Sequence, residues 1–183
     1  MTLFVLGTII FFGVHFLPST PLKSVMIDRL GEMGFKGLFS LCAALGLGLL
    51  IYGFSLTTFQ PLFDPFVWGR SAAILIMPVA IILICAAQMP NNLKNFVRHP
   101  MLAGLILWGL SHMVANGDLA STILFSSFVL FSIINILLVN ARNAYVAPAP
   151  VSKFWDLGVV VIGLLLYVVL FQFHGLFSGI PLK

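Results

Sequence analysis

The 183-residue sequence is 61% hydrophobic and only 8% charged, and its nine basic and five acidic residues give a net charge of +4. A soluble domain has about 25% charged residues, so the charge here is too sparse to cover a water-exposed surface. The positive balance does not indicate a nucleic-acid partner, because the basic residues form no stripe and lie at the ends of apolar segments.

Six apolar runs follow one another along the chain, near 3–17, 37–57, 71–89, 100–116, 119–139 and 157–173. A membrane-spanning helix needs about 20 apolar residues. Backbone polar groups in lipid must bond internally, and no run alternates like a barrel strand, which favours helices. The sequence therefore predicts an all-α fold: a polytopic transmembrane bundle of about six spans, one integral membrane domain over 1–183, in contact with lipid.

The basic residues predict the orientation of the chain. The first run lacks the basic n-region and the cleavage site of a signal peptide, so it is counted as a span. Arg70 and Lys183 fall on one side. The loops after the first, third and fifth runs hold the others: Lys23, Arg29, Lys36, Lys94, Arg98, Arg142 and Lys153. The positive-inside rule places this second group in the cytoplasm and both termini on the opposite side.

Two local patterns predict how helices pack and end. Small residues in the second run indicate a close helix contact, and they are Gly37, Ser40, Ala44 and Gly48. The sequence Asn116-Gly117-Asp118 predicts a tight turn between the fourth and fifth runs, with Asp118 capping the next helix.

Polar side chains and cysteines within the runs are interpreted as having structural roles. Cys42 and Cys85 lie inside predicted helices without a C-x-x-C spacing, which indicates small buried residues and no disulfide. The fifth run is expected to use its polar residues for hydrogen bonds between helices, and these are Ser126, Ser127, Ser132 and Asn135.

All four histidines fall in or at the ends of apolar runs: His15, His99, His112 and His174. Ionisable residues are costly inside a bilayer, so each is a functional candidate. Histidine is the usual ligand of haem iron and a frequent ligand of other metals. One interpretation is that two of the four bind a haem or a metal. The other is that they only form hydrogen bonds within the bundle.

His112 has the surroundings that a flat macrocycle needs. Gly104, Trp108, Ser111 and Ala115 share its helical face, which combines a ligand nitrogen, a close backbone and an aromatic plane. His99 begins the same helix 13 residues earlier, about 20 Å away along the axis, so the two cannot bind one iron. Depth in the membrane favours the pairs His15 with His99 and His112 with His174.

Several motifs resemble the NnrU family of bacterial membrane proteins. The segments 29–41 and 98–121 carry most of the resemblance, the second with the order His99-Pro, Leu-Trp108, His112 and Asn-Gly-Asp118. The opening Phe-Phe-Gly-Val-His15 and the ending Phe-His-Gly-Leu-Phe-Ser-Gly also fit. The resemblance covers essentially the whole chain.

The resemblance implies a cofactor and its ligands. The NnrU family is associated with nitrite and nitric oxide metabolism in denitrification, and is related to the ζ-carotene isomerase, which uses histidine-held haem b. By motif, haem b would be bound by His15 and His112, with Trp108, Gly104 and His99 also at the site. The isomerase has a cysteine three residues before the second ligand. This chain has glycine there, a departure that weighs against isomerisation and leaves haem binding open.

The resemblance thus implies a haem b-binding protein of the bacterial inner membrane, linked to nitrite or nitric oxide metabolism through redox or isomerase-type chemistry. The alternative is a non-catalytic membrane factor that supports this metabolism by transport or assembly. The residues leave open whether the protein is an enzyme.

Overall fold

The computed structural model describes residues 1–142, 145–180 and 182, except for the side chain of Phe177. Over these residues the chain is helical and has no β-strand, which confirms the predicted all-α fold. Its helices are α1 Thr2–Phe16, α2 Leu22–Ser55, α3 Gly69–Gln88, α4 Leu93–Phe96, α5 Pro100–Ala115, α6 Leu119–Ala141, α7 Lys153–Gln172 and α8 His174–Ser178, with a 3-10 helix at Leu17–Ser19.

Five segments are helical, long and apolar enough to cross a membrane: α1 continued by the 3-10 helix (Thr2–Ser19), α2, α3, α6 and α7. The shorter apolar helix α5 has 16 residues, which corresponds to about 24 Å at about 1.5 Å per residue. A hydrocarbon core is about 30 Å thick, so α5 with its flanking residues completes a set of about six spans. The chain is therefore a membrane protein. Lys183, placed opposite the cytoplasmic side by the sequence, lies outside the described residues.

Helix α2 begins earlier than the sequence predicts. Residues 22–36 were expected to form a loop, whereas α2 covers 34 residues and includes them. Such a helix would be about 51 Å long if straight, but Gly31 interrupts it with φ 71° and ψ 166°. Only glycine adopts this conformation without steric cost. The segment before Gly31 is helical and carries the basic residues Lys23 and Arg29.

The described chain divides into two compact units, Met1–Phe63 with Asp118–Ser127 (unit 1) and Asp64–Gly117 with Phe128–Lys183 (unit 2). In unit 1, α1 packs tightly along α2. A Cβ added to Gly53 would lie 2.3 Å from the Phe4 nitrogen, and one added to Gly7 would lie 2.3 Å from the Leu50 nitrogen. Gly46 makes a similar approach to α1. The single integral membrane domain predicted over 1–183 stays a prediction.

The small-residue prediction for the second run named the wrong positions. Gly37 and Gly48 have no neighbouring atom within 4 Å of an added Cβ. The contact is made by Gly46 and Gly53, which are seven residues apart and so lie on one face, two turns from each other. Several stripes of small residues run along α2, and only the partner helix decides which is used.

Unit 1 closes at the start of α6. Phe4 is fully buried with Leu50 and Ala120 in one cluster. The Leu119 N–H donates to the Gln60 carbonyl at 2.9 Å, and the Asp118 Oδ1 accepts from the Ser121 N–H at 2.9 Å. The predicted capping role of Asp118 is confirmed.

Asp118→Ala is expected to lower the free energy of unfolding by about 1 kcal/mol, because one backbone N–H at the α6 start loses its acceptor. Asp118→Asn is the matched control, since asparagine caps as well as aspartate. Unfolding followed by circular dichroism in mixed micelles measures both. Equal losses in the two variants would show that charge, not capping, is what Asp118 contributes.

Unit 2 is built on α3, which packs against α5 and α7. Gly163 of α7 lets the Ile82 backbone approach within 2.9 Å of an added Cβ. Ile81, Cys85, Ala86 and Val159 form the buried cluster between α3 and α7. Cys85 is buried, as the sequence predicted, whereas Cys42 is only partly buried.

Candidate functional site

His112 lies in the last turn of α5 and is oriented by its own helix. Its Nδ1–H donates to the Trp108 carbonyl at 2.9 Å, since a carbonyl oxygen can only accept. The proton on Nδ1 leaves the lone pair on Nε2, the arrangement of a metal-binding imidazole. The Trp108 ring lies 5.2 Å from the imidazole and packs edge-on against Phe128 at 5.1 Å. The predicted association of His112 with Trp108 is present.

His174 stands beside His112 in unit 2. The two ring centres are 6.4 Å apart and the planes differ by only 20°. His174 begins the short helix α8, and its Nδ1–H donates to the Ile180 carbonyl at 2.9 Å. The Ser178 hydroxyl lies at the same 2.9 Å from this Nδ1. With the proton on Nδ1 for the Ile180 carbonyl, the lone pair of His174 is on Nε2. Of the pairs favoured by depth, the structure brings His112 and His174 together.

His15 lies in unit 1, near the end of α1. Its Nδ1 donates to the Phe11 carbonyl at 2.6 Å, which again places the lone pair on Nε2. The Phe11 ring lies 4.4 Å from the imidazole and the Phe39 ring 5.3 Å. Aromatic packing and the hydrogen bond hold the ring in one orientation.

His99 has a different environment from the other three histidines. It precedes α5, and its Nε2 donates to the Asn140 Oδ1 at 2.9 Å. The Tyr145 ring lies 5.7 Å away, edge to face. The proton is therefore on Nε2, which is opposite to the tautomer of His112. The structure places His99 in a separate polar cluster at the other end of α5.

Gly104 is buried against α3. A Cβ added there would lie 2.7 Å from the Ala80 carbonyl oxygen and 2.8 Å from the Ile84 side chain. The small residue is thus required where two helix backbones meet. The sequence pattern indicated that Gly104 lets a bound macrocycle approach the α5 backbone. In the structure, the group that approaches Gly104 is helix α3.

The polar residues of α6 do not bond between helices as predicted. Ser127 donates to the Ile123 carbonyl at 2.7 Å and Asn135 to the Phe131 carbonyl at 3.0 Å, both one turn back on α6. Ser126 also donates to Ile123. Buried Ser132 has no hydrogen-bond partner for its hydroxyl among the described residues. Back-bonding within α6 gives the Ser126, Ser127 and Asn135 side chains an acceptor, so these three need no partner helix.

Unit 2 contains a group of hydrogen-bonded polar residues that the sequence patterns did not predict. The Asn92 backbone and side-chain nitrogens donate to the two Asp156 carboxylate oxygens at 2.7 and 2.8 Å. The Asn92 amide also exchanges hydrogen bonds with the Val151 backbone. The adjacent Asn91 is buried and donates to the Ala86 carbonyl at 2.6 Å. The Pro-Asn-Asn turn was a local signal, but its partners are about 60 residues away. This Asn92–Asp156 junction fastens the α7 start to the α3–α4 turn.

A family model described as NnrU protein matches residues 3–182. The chain belongs to the NnrU family. No curated protein and no solved structure matches the sequence. The resemblance read from the motifs around His15 and His112 is therefore confirmed at the level of the family. The histidine geometry of this NnrU family member comes from its own structure.

Proposed function

We propose that this NnrU family member binds haem b within the membrane and serves nitrite or nitric oxide metabolism. The observation that carries the proposal is the pair of nearly parallel imidazoles of His112 and His174, 6.4 Å apart. The family resemblance supports the same cofactor and adds the link to denitrification. Redox or isomerase-type chemistry is the activity that the resemblance implies.

The distance between the His112 and His174 ring centres, 6.4 Å, is compatible with a shared metal. A histidine nitrogen lies about 1 Å from the ring centre and binds a metal at about 2 Å, so one ion between two rings separates their centres by about 6 Å. The described part of the chain has no group of three or more histidine, cysteine or acidic side chains that could hold an ion. Haem iron needs at most two protein ligands, because the macrocycle supplies the others.

The chain's own residues fix the orientation of these imidazoles. The Trp108 carbonyl holds the Nδ1–H of His112, and the Ile180 carbonyl does the same for His174. Such partners raise the basicity of the ligand nitrogen and prevent ring rotation. The Trp108 ring packs against His112, and Phe128 packs edge-on against Trp108. When bound, a haem supplies one-electron chemistry or, with one ligand released, a site for a small molecule.

The second ligand has two candidates. The resemblance implies His15 for this role, and the proximity of the two rings in unit 2 supports His174. His15 has the same Nδ1–H tautomer as His112, so its chemistry suits the role equally. His112 belongs to both assignments and is the primary ligand of the proposal.

The visible spectrum of the protein, purified from a haem-replete membrane, tests the proposal. We expect a Soret band with the sharp α and β bands of six-coordinate, low-spin haem. His174→Ala is expected to convert this spectrum to that of five-coordinate haem and to speed nitric oxide binding, since one axial ligand is lost. His15→Ala is the parallel variant, and the same conversion in it alone would favour the ligand pair implied by the family motif.

A protein without any Soret band would contradict haem binding. It would favour the alternative of a non-catalytic factor in nitrite or nitric oxide respiration, in which the histidines have structural roles.

We also propose the bacterial inner membrane as the location. Both termini would be periplasmic, because seven of the nine basic residues fall on the other side.

A further inference from the structure

Unit 2 contains a cavity of about 430 Å³ at the end of α5 opposite to His112. Four polar side chains line it, namely Lys94, Arg98, His99 and Tyr145. Ligand sites in proteins usually have volumes of about 300–1,000 Å³, so the cavity has room for a small polar group. It lies among loops that the sequence places on the cytoplasmic side.

The charge in this cavity is positive and uncompensated. None of the five acidic residues of the chain lines it. Among the described residues the ion pair found is Lys36 with Glu32, in unit 1, at 2.7 Å. Lys94 and Arg98 therefore present two cationic groups to the cavity without a carboxylate partner in the described structure. An anion is the ligand that this arrangement favours.

Tyr145 organises the two cationic residues. Its ring lies 4.8 Å from the Arg98 Cζ, so the guanidinium rests against the aromatic face. The Tyr145 hydroxyl donates to the Lys94 carbonyl, which ties the loop after α6 to α4. A guanidinium held flat presents its N–H donors in a fixed fork, and this geometry suits phosphate oxygens.

The remaining wall is apolar. Met101, Leu102 and Val146 line it beside the basic groups, and the Met101 and Val146 side chains are exposed. Basic pockets between transmembrane helices on the cytoplasmic side typically bind anionic lipid headgroups. The apolar wall would contact the glycerol and the first acyl carbons, while the basic residues bind the phosphate.

We propose that this cavity binds a phosphate group, carried by an anionic phospholipid or by soluble phosphate. The site is separate from the His112–His174 pair, and it includes His99, which the family resemblance had placed at the haem site. The cationic pair Lys94 and Arg98 provides the attraction, and Tyr145 positions Arg98.

The test uses the full-length protein in detergent, titrated with phosphatidylglycerol, with zwitterionic phosphatidylcholine and with inorganic phosphate. Native mass spectrometry counts bound lipid, and the thermal midpoint of unfolding follows each titration. Lys94→Gln and Arg98→Gln are each expected to weaken binding about fivefold, and the double variant about 25-fold, at roughly one charge contact per residue. Lys153→Gln is the matched control, because Lys153 is an exposed basic residue on the same side and outside the cavity.

The outcomes separate the two sources of phosphate. Binding of phosphatidylglycerol but not phosphatidylcholine, lost in the double variant and kept in Lys153→Gln, supports a lipid headgroup. Saturable binding of inorganic phosphate with the same dependence on the variants supports the soluble anion. Unchanged binding in the double variant, or an equal loss in Lys153→Gln, overturns the proposal. If the double variant does not purify as a monodisperse protein, the single variants decide.

Discussion

Replacing His112 by alanine is expected to remove haem from the purified protein, with a fall in the haem-to-protein ratio of about tenfold or more. Loss of a partner that merely orients a metal ligand costs about 10–100-fold in affinity, and loss of the ligand itself should cost at least as much. His112 is the imidazole that the family motif implies, and in the structure its ring lies beside that of His174. The ratio is measured by the pyridine haemochrome method.

His99→Ala is the matched control for His112→Ala. Both residues belong to the ends of α5, but the Nε2–H of His99 is engaged by Asn140, and His99 lies in the other cluster. We expect His99→Ala to keep the Soret band. The variant His112→Gly with added imidazole should recover the spectrum, since the free ring can enter the space left by the side chain.

Two results would contradict the assignment. A full haem content in His112→Ala would remove His112 from the ligand set. An equal loss in His99→Ala would show that haem content follows the folding of α5 and not ligation, because these two residues are about 20 Å apart along the helix.

Replacing Gly53 by alanine is expected to lower the free energy of unfolding by about 1–3 kcal/mol. The new Cβ would lie 2.3 Å from the backbone nitrogen of Phe4 and 2.6 Å from its Cα. Backbone atoms cannot rotate away as a side chain can, so α1 and α2 must separate. The separation would also loosen the packing of fully buried Phe4 against Phe54.

Gly48→Ala is the control on the same helix, because an added Cβ meets nothing within 4 Å. It should leave stability unchanged or raise it by up to about 1 kcal/mol, since alanine is the better helix former. Reversible unfolding in mixed micelles, followed by circular dichroism, compares the two. If both glycine variants behave alike, α1 and α2 are not in backbone contact in the membrane protein.

Helical periodicity was sufficient to predict which residues of the candidate site lie together on α5. Trp108 and His112 are four residues apart, so any α-helix places them together. Depth in the membrane then favoured His174 as the neighbour of His112, because both fall at the same predicted side. The actual ring distance depends on how α7 packs against α3 and where α8 begins, and no local pattern encodes that.

For other residues, contacts with neighbouring helices decide a structural role that the sequence pattern did not indicate. Gly104 belongs to the His112 stripe by periodicity, yet its small size is used by the α3 backbone at Ala80. His99 has the same residue type as His112, but Asn140 reverses its tautomer. The Asn92–Asp156 junction joins residues that are far apart in the chain. Each of these outcomes depends on a contact partner that the sequence does not specify.

The amino-acid sequence by itself determined that the protein is an all-α membrane protein of about six spans, the α6 cap and the family. These features follow from local composition, because a segment that crosses a bilayer must be long, apolar and internally hydrogen-bonded, and few structures other than a helix meet these requirements. Only the tertiary structure decided which glycines allow helix contact, which histidines lie together and where two basic residues share a cavity. Those features follow from the side-by-side packing of helices, and many apolar faces are compatible with lipid on one side and protein on the other.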